Sequence, residues 1–223
     1  MATSGTATFN LEFSLLAEDA FLMAGRPMRS GYDLALAARC FNLLTQELSN
    51  RGLNFWTIEE REETLVAGTE TYALDSDTVD ILEASIREND GQTSQIDYQM
   101  KRVSIASYAN LSNKRISTRP TQFCVSRSAS PSITLYPIPD QAYILKYWII
   151  RRIEDLGKPS NDVDMPARFL PVITAGLGYY ISMRDPETRP NADRNLMEFD
   201  RQFELAAGED RERASSYFVP GFS

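Results

Sequence analysis

Apolar residues follow two rhythms along this chain: helical spacing towards both ends and short alternating runs between them. Phe13, Leu16, Ala17, Ala20 and Phe21 recur at three- and four-residue intervals, one face of a helix that Gly25 and Pro27 close. A longer helix is predicted from about Gly31 to Asn50, where Leu34, Ala37, Ala38, Phe41, Leu44 and Leu48 share a face. Ser30 or Asp33 is placed to cap its start, and Gly52 supplies a left-handed residue at its end. Phe55 and Trp56 follow, two large groups that need something to pack against.

From Glu62 the period shortens. Glu62 to Val66 and Thr71 to Leu74 flank Ala67-Gly68-Thr69-Glu70 and predict a hairpin with a four-residue loop. Thr78 to Glu88 runs into the Asn89-Asp90-Gly91 turn, from which Ser94 to Tyr98 returns as a partner strand. A short helical patch at Ser104 to Ala109 precedes three more strands, Thr121 to Arg127, Ser132 to Tyr136 and Tyr143 to Arg152. In the last of these Leu145, Tyr147 and Ile149 alternate with Ile144, Lys146, Trp148 and Ile150, so a strand covered on both faces is expected.

Helical spacing resumes after Asp164 and Pro166, with Phe169, Leu170, Ile173, Leu177 and Ile181 on one face and Asp185-Pro186 as the stop. Gly176 and Gly178 inside that helix cost about 1 kcal/mol each relative to alanine, an amount that close approach of a neighbouring helix offsets. A final amphipathic helix, about Asn191 to Ala214, carries Leu196, Phe199, Phe203, Ala206 and Ala207. The order implies an α+β fold: terminal helices forming a bundle (about 9–54 and 164–214), an inserted β-rich subdomain (about 55–163), and a tail at 215–223.

Composition narrows the function. The 223 residues carry 23 Lys and Arg against 31 Asp and Glu, a formal charge of −8, which disfavours free nucleic-acid binding through a basic stripe. Histidine is absent, which removes Ser-His-Asp and Cys-His nucleophile pairs, His-ligated zinc and an imidazole proton shuttle. Cys40 and Cys124 fit no CxxC spacing and read as two buried, reduced thiols. Met1 to Thr8 reads as a short disordered arm rather than a secretory signal, and no apolar stretch approaches the ~20 residues of a membrane helix.

Enzyme signatures fail one by one. Gly157-Lys158 is followed by Pro159, so there is no phosphate loop, and Gly176 and Gly178 precede bulky Tyr179 and Tyr180 rather than following a strand. No catalytic residue, cofactor site or metal site is assigned. The carboxylate pairs Glu59-Glu60, Glu62-Glu63 and Glu209-Asp210 leave one alternative, a carboxylate-dependent glycosidase (muramidase), which needs two carboxyls about 5 to 9.5 Å apart across a sugar cleft. Interleaved arginines favour solvated charge instead. Arg151-Arg152, with Trp56 and Trp148, invites a nucleic-acid reading, but Glu154 and Asp155 nearby favour surface ion pairs. The sharpest signal is the C-terminal nonapeptide, where Tyr217, Phe218, Val219 and Phe222 follow a highly charged stretch and call for a partner to cover them.

Several strings together carry a resemblance. Gly31-Tyr32-Asp33-Leu34 through Leu43-Leu44-Thr45-Gln46-Glu47-Leu48-Ser49-Asn50-Arg51-Gly52-Leu53-Asn54-Phe55-Trp56, then Asp77-Thr78-Val79-Asp80-Ile81-Leu82, Arg119-Pro120-Thr121, Ile133-Thr134-Leu135-Tyr136-Pro137 and Pro166-Ala167-Arg168-Phe169 occur in colinear order. So ordered, the chain resembles the head-to-tail adaptors of short-tailed phages, the tail accessory factor type. The resemblance implies a structural virion protein without enzymatic role, assembled in the host cytoplasm into a dodecameric ring between the portal protein and the tail nozzle or hub. DNA would pass through its channel without specific binding, and no membrane is involved. It also implies that Tyr217, Phe218, Val219 and Phe222 dock on the portal.

Overall fold

In the computed structural model the described residues are 9, 12–52 and 55–209. The chain divides into two compact units, one helical (residues 1–56 with 153–223) and one β-rich (57–152).

Four helices, with the segment 153–163 and a short turn, build the helical unit's core. Helix α1 (Phe13–Ala24) buries Phe13, Leu16, Ala17, Ala20, Phe21 and Ala24, and Gly25 ends it in a left-handed conformation at φ 114°. A Cβ at Gly25 would also lie 2.4 Å from the Asn191 amide nitrogen, which donates to the Ala24 carbonyl at 2.9 Å. Helix α2 (Gly31–Asn50) buries Ala37, Cys40, Phe41, Leu44 and Leu48. Its Ser30 hydroxyl makes no cap bond; the first turn is instead tied by Asp33, whose carboxylate accepts from the Arg29 backbone N–H at 2.8 Å. The segment 153–163 and the turn Ala167–Phe169 lead into α4 (Leu170–Arg184), and α5 (Ala192–Glu209) closes the unit. Its expected continuation to Ala214 lies outside the described residues.

Helix α4 is the hub, packed by α1, α2 and α5, and it is apolar all round as a central helix must be. Its two glycines are the points of closest approach. A Cβ at Gly176 would lie 2.6 Å from Leu44 of α2 and 3.0 Å from Phe199 of α5, and one at Gly178 would lie 3.4 Å from the Ala20 carbonyl of α1. The helix cost of each glycine is therefore offset by packing, as the sequence implied.

The β-rich unit contains β1 (Ile58–Thr64), β2 (Thr71–Ala73), β3 (Thr78–Glu88), β4 (Ile96–Gln99), β5 (Lys101–Arg102), a one-turn helix α3 (Ile105–Ala109), β6 (Gln122–Ser126), β7 (Ser132–Tyr136) and β8 (Ile144–Arg151). Two four-stranded sheets form, in the orders β1-β8-β3-β4 and β2-β7-β6-β5. All pairings are antiparallel except β5 with β6. Their inner faces share one core, with Ile81, Ile86, Leu145, Tyr147 and Ile149 from the first sheet against Phe123, Val125, Ile133 and Leu135 from the second. Asp80 of β3 reaches across to the second sheet, accepting from Arg102 at 2.7 Å and also pairing with Arg127.

Three expectations are corrected. The segments around Ala67-Gly68-Thr69-Glu70 do not form a hairpin: β1 pairs with β8 and β2 with β7, so the turn carries the chain from one sheet to the other. Leu65, fully buried, is held there by its N–H bond to the Tyr143 carbonyl at 2.8 Å. Strand β8 is not covered on both faces. Leu145, Tyr147 and Ile149 are buried, while Trp148 on the opposite face is 45% exposed and Lys146 pairs with Glu60 and Glu62. Finally, the expected β-rich insertion of 55–163 is too long, because Ile153, Leu156 and Val163 are buried in the helical core.

Candidate interaction surfaces

The residues singled out from sequence fall into place unevenly. Tyr217, Phe218, Val219 and Phe222 lie outside the described residues, as do Asp210 and Glu212. Trp56 is structural: its ring packs 4.5 Å from that of Phe169, and its indole N–H donates to the Asp164 carbonyl at 3.2 Å. Arg151 donates to Glu59 at 2.6 Å, so an ion pair holds it. The backbone N–H of Arg152 bonds the Asp77 carbonyl at 2.7 Å.

The carboxylates of β1 are likewise engaged. Glu59 meets Arg61 and Arg151, and Glu60 and Glu62 flank Lys146. Arg61 in turn donates to Asp75 and Asp77 at 2.7 Å each and holds the Asp77 carboxyl below its ordinary range. An edge strand written Ile-Glu-Glu-Arg-Glu-Glu-Thr is a charged border that discourages further strand pairing. This is a surface network of ion pairs along the sheet edge.

Cys40 and Cys124 are free and buried, one in each unit, and burial pushes both thiols above their ordinary range. Thiolate chemistry is correspondingly weak at both. Among the described residues no three carboxylates or cysteines gather in metal-ligating geometry, and no helix is long and apolar enough to cross a membrane.

What the surface does display is apolar side chains on helix and sheet faces. In the helical unit Leu15 and Leu22 of α1, Tyr32 and Leu43 of α2, and Met197 of α5 are all at least 42% exposed. An open groove of about 530 Å³ runs between α1 and α5, lined by Leu22, Met23, Met197 and the polar groups of Arg194, Glu198 and Arg201. A second of about 480 Å³ lies on α2 beside the end of α4, lined by Leu36, Leu43, Arg39 and Arg184. In the β-rich unit Trp148, Val79 and Leu82 are among the exposed counterparts, with Val66, Ile96, Ile105 and Ile116. Sequence reading missed these residues as surface features, although Leu15, Leu22, Tyr32 and Leu43 are apolar positions that fall off the core-facing stripes of their helices, and that was the available signal.

Contiguous exposed apolar groups are where contacts with other macromolecules are first sought. A family model described as SU10 adaptor protein matches residues 13–221, nearly the whole chain. The chain belongs to the SU10 adaptor protein family and is a phage adaptor protein, in agreement with the resemblance carried by its sequence strings. No curated protein matches it.

Proposed function

We propose that this adaptor is a structural virion protein that forms a ring beneath the portal, joins it to the tail nozzle or hub, and extends the channel that holds and then releases the genome. The observation that carries the reading is the family match across residues 13–221, which takes in both the helical and the β-rich unit. The dodecameric ring of the resemblance supplies a symmetry that a continuous channel needs, and heterologous contacts between copies are what close such a ring. An excess of eight acidic charges per chain suits a lumen past which DNA phosphates slide. The role is assembly rather than catalysis, in keeping with β1 carboxylates already occupied by Arg61, Lys146 and Arg151.

Tyr217, Phe218, Val219 and Phe222 are the proposed portal-docking residues, large apolar groups next to the charged run Glu209-Asp210-Arg211-Glu212-Arg213. Deleting Ser215 to Ser223 is expected to abolish co-sedimentation with purified portal rings while leaving the circular dichroism of the chain unchanged. Undiminished attachment of the truncated chain would refute the docking role.

A further inference from the structure

Two helix faces of the helical unit are complementary to each other, and their charged groups have no ion-pair partner among the described residues. On α1, Leu15, Glu18, Asp19 and Leu22 line up at intervals of three and four on the side opposite the buried face. Leu15 is 44% and Leu22 62% exposed, and neither Glu18 nor Asp19 makes an ion pair among the described residues. On α2, exposed Tyr32, Arg39 and Leu43 form a second stripe with half-buried Leu36 at its edge, and Arg184 at the end of α4 borders the same groove.

The arginines of that groove have no carboxylate partner among the described residues. Arg39 lies 6.0 Å from the Tyr32 ring centroid, and Arg184 donates only to the Cys40 sulfur at 3.4 Å. In a chain with 31 acidic residues, two neighbouring guanidinium groups without a carboxylate partner, beside exposed Leu43 and half-buried Leu36, are conspicuous. Their counterpart is the α1 stripe, where two unpaired carboxylates sit between two exposed leucines.

From this match we infer that the α1 stripe of one copy docks into the α2–α4 groove of the next, with Glu18 and Asp19 meeting Arg39 and Arg184 while Leu22 packs against Leu36 and Leu43. The two surfaces share no residue, so the contact is head-to-tail and repeats from copy to copy until the ring closes. Desolvating the arginines against apolar neighbours makes their pairing stronger than the same pairs in open water. The inference rests on the ring reading and assigns its interface.

The test uses the full-length chain, alone and with purified portal rings, viewed by electron microscopy. Arg39→Glu with Arg184→Glu reverses one face, and Glu18→Arg with Asp19→Arg reverses the other. Each pair is expected to abolish ring formation, and the four changes together to restore it. In parallel, a short bis-maleimide is expected to link a mixture of Leu22→Cys and Leu43→Cys chains into covalent dimers while leaving either variant alone without cross-links, a readout that needs no charge reversal. Rings that survive both reversals, or cross-links to the portal instead of to a second copy, overturn the assignment and leave the ring reading standing. If the unaltered chain forms no ring under either condition, the ring reading fails and takes this interface with it.

Discussion

Replacing Arg26 with alanine is expected to destabilise the helical unit by about 3 kcal/mol or more, because it strands two buried carboxylates. Arg26 follows the Gly25 cap of α1 and joins three helices at one point. Its Nη atoms donate to both oxygens of Asp33, each at 2.8 Å, and its Nε donates to Asp185 at 2.6 Å. Asp33 opens α2 and Asp185 ends α4, and the three side chains are only 8 to 11% exposed. The same guanidinium lies 4.6 Å over the Phe21 ring, so it is sandwiched between charge and core. Arg26→Lys keeps the positive charge but loses the fork that binds Asp33 through two bonds, and an intermediate loss is expected. Urea denaturation of the three proteins measures the order, and an alanine variant as stable as the parent would show that the network contributes nothing.

The pH dependence follows from the same contact. The Arg26 fork, with the Arg29 N–H, holds the Asp33 carboxyl down at about 2, below its ordinary 3.8. A depressed carboxylate stabilises the fold above its unfolded value, and the contribution disappears as pH falls through that value towards the folded one. The parent protein should therefore lose stability between those two pH values more steeply than Arg26→Ala, in which only the Arg29 share of the depression remains.

Gly176→Leu is expected to be comparably damaging, at about 3 kcal/mol, through overpacking. The first added carbon already falls 2.6 and 2.9 Å from the two methyls of Leu44 and 3.0 Å from Phe199. Leu44 and Phe199 are themselves fully buried, so neither has space into which to retreat. Pushing them apart separates α2 and α5 from α4 and loosens the centre of the unit. Gly208→Ala is the control: nothing lies within 4 Å of its added carbon, and the exposed α5 position should gain about 0.5 kcal/mol from helix propensity. Thermal unfolding that ranks the two substitutions the other way would contradict the packing described for α4.

Much of this architecture was legible in the chain because it is local. The 34, 37, 38, 41, 44 and 48 stripe and the Asp185-Pro186 stop declare their helices within one window of sequence, and Asn89-Asp90-Gly91 marks the turn between β3 and β4. What was not legible depends on distant partners. Nothing near Ile58–Thr64 announces that its mate is Ile144–Arg151, and the tight turn at Gly68 resembles a hairpin loop until that long-range pairing takes β1 away from β2. Ile153, Leu156 and Val163 have no helical or strand period, so their burial in the helical core shows only once the chain is folded. Arg26 carries no pattern either; its meaning comes from Asp185, 159 positions away. Apolar residues wanting a partner were read from the sequence at the C-terminal end, and the structure adds exposed apolar positions on α1 and α2. The tail residues Tyr217, Phe218, Val219 and Phe222 lie outside the described residues, whereas the α1 and α2 stripes emerged from the burial of the opposite faces.

The central claim, that this adaptor extends the portal channel as a ring, is tested most directly by electron microscopy of purified portal rings incubated with the full-length chain. The account predicts a closed ring of adaptor density continuous with the portal, its channel coaxial with the portal's own. Portals that stay bare, or that carry isolated copies without a closed ring, would contradict it.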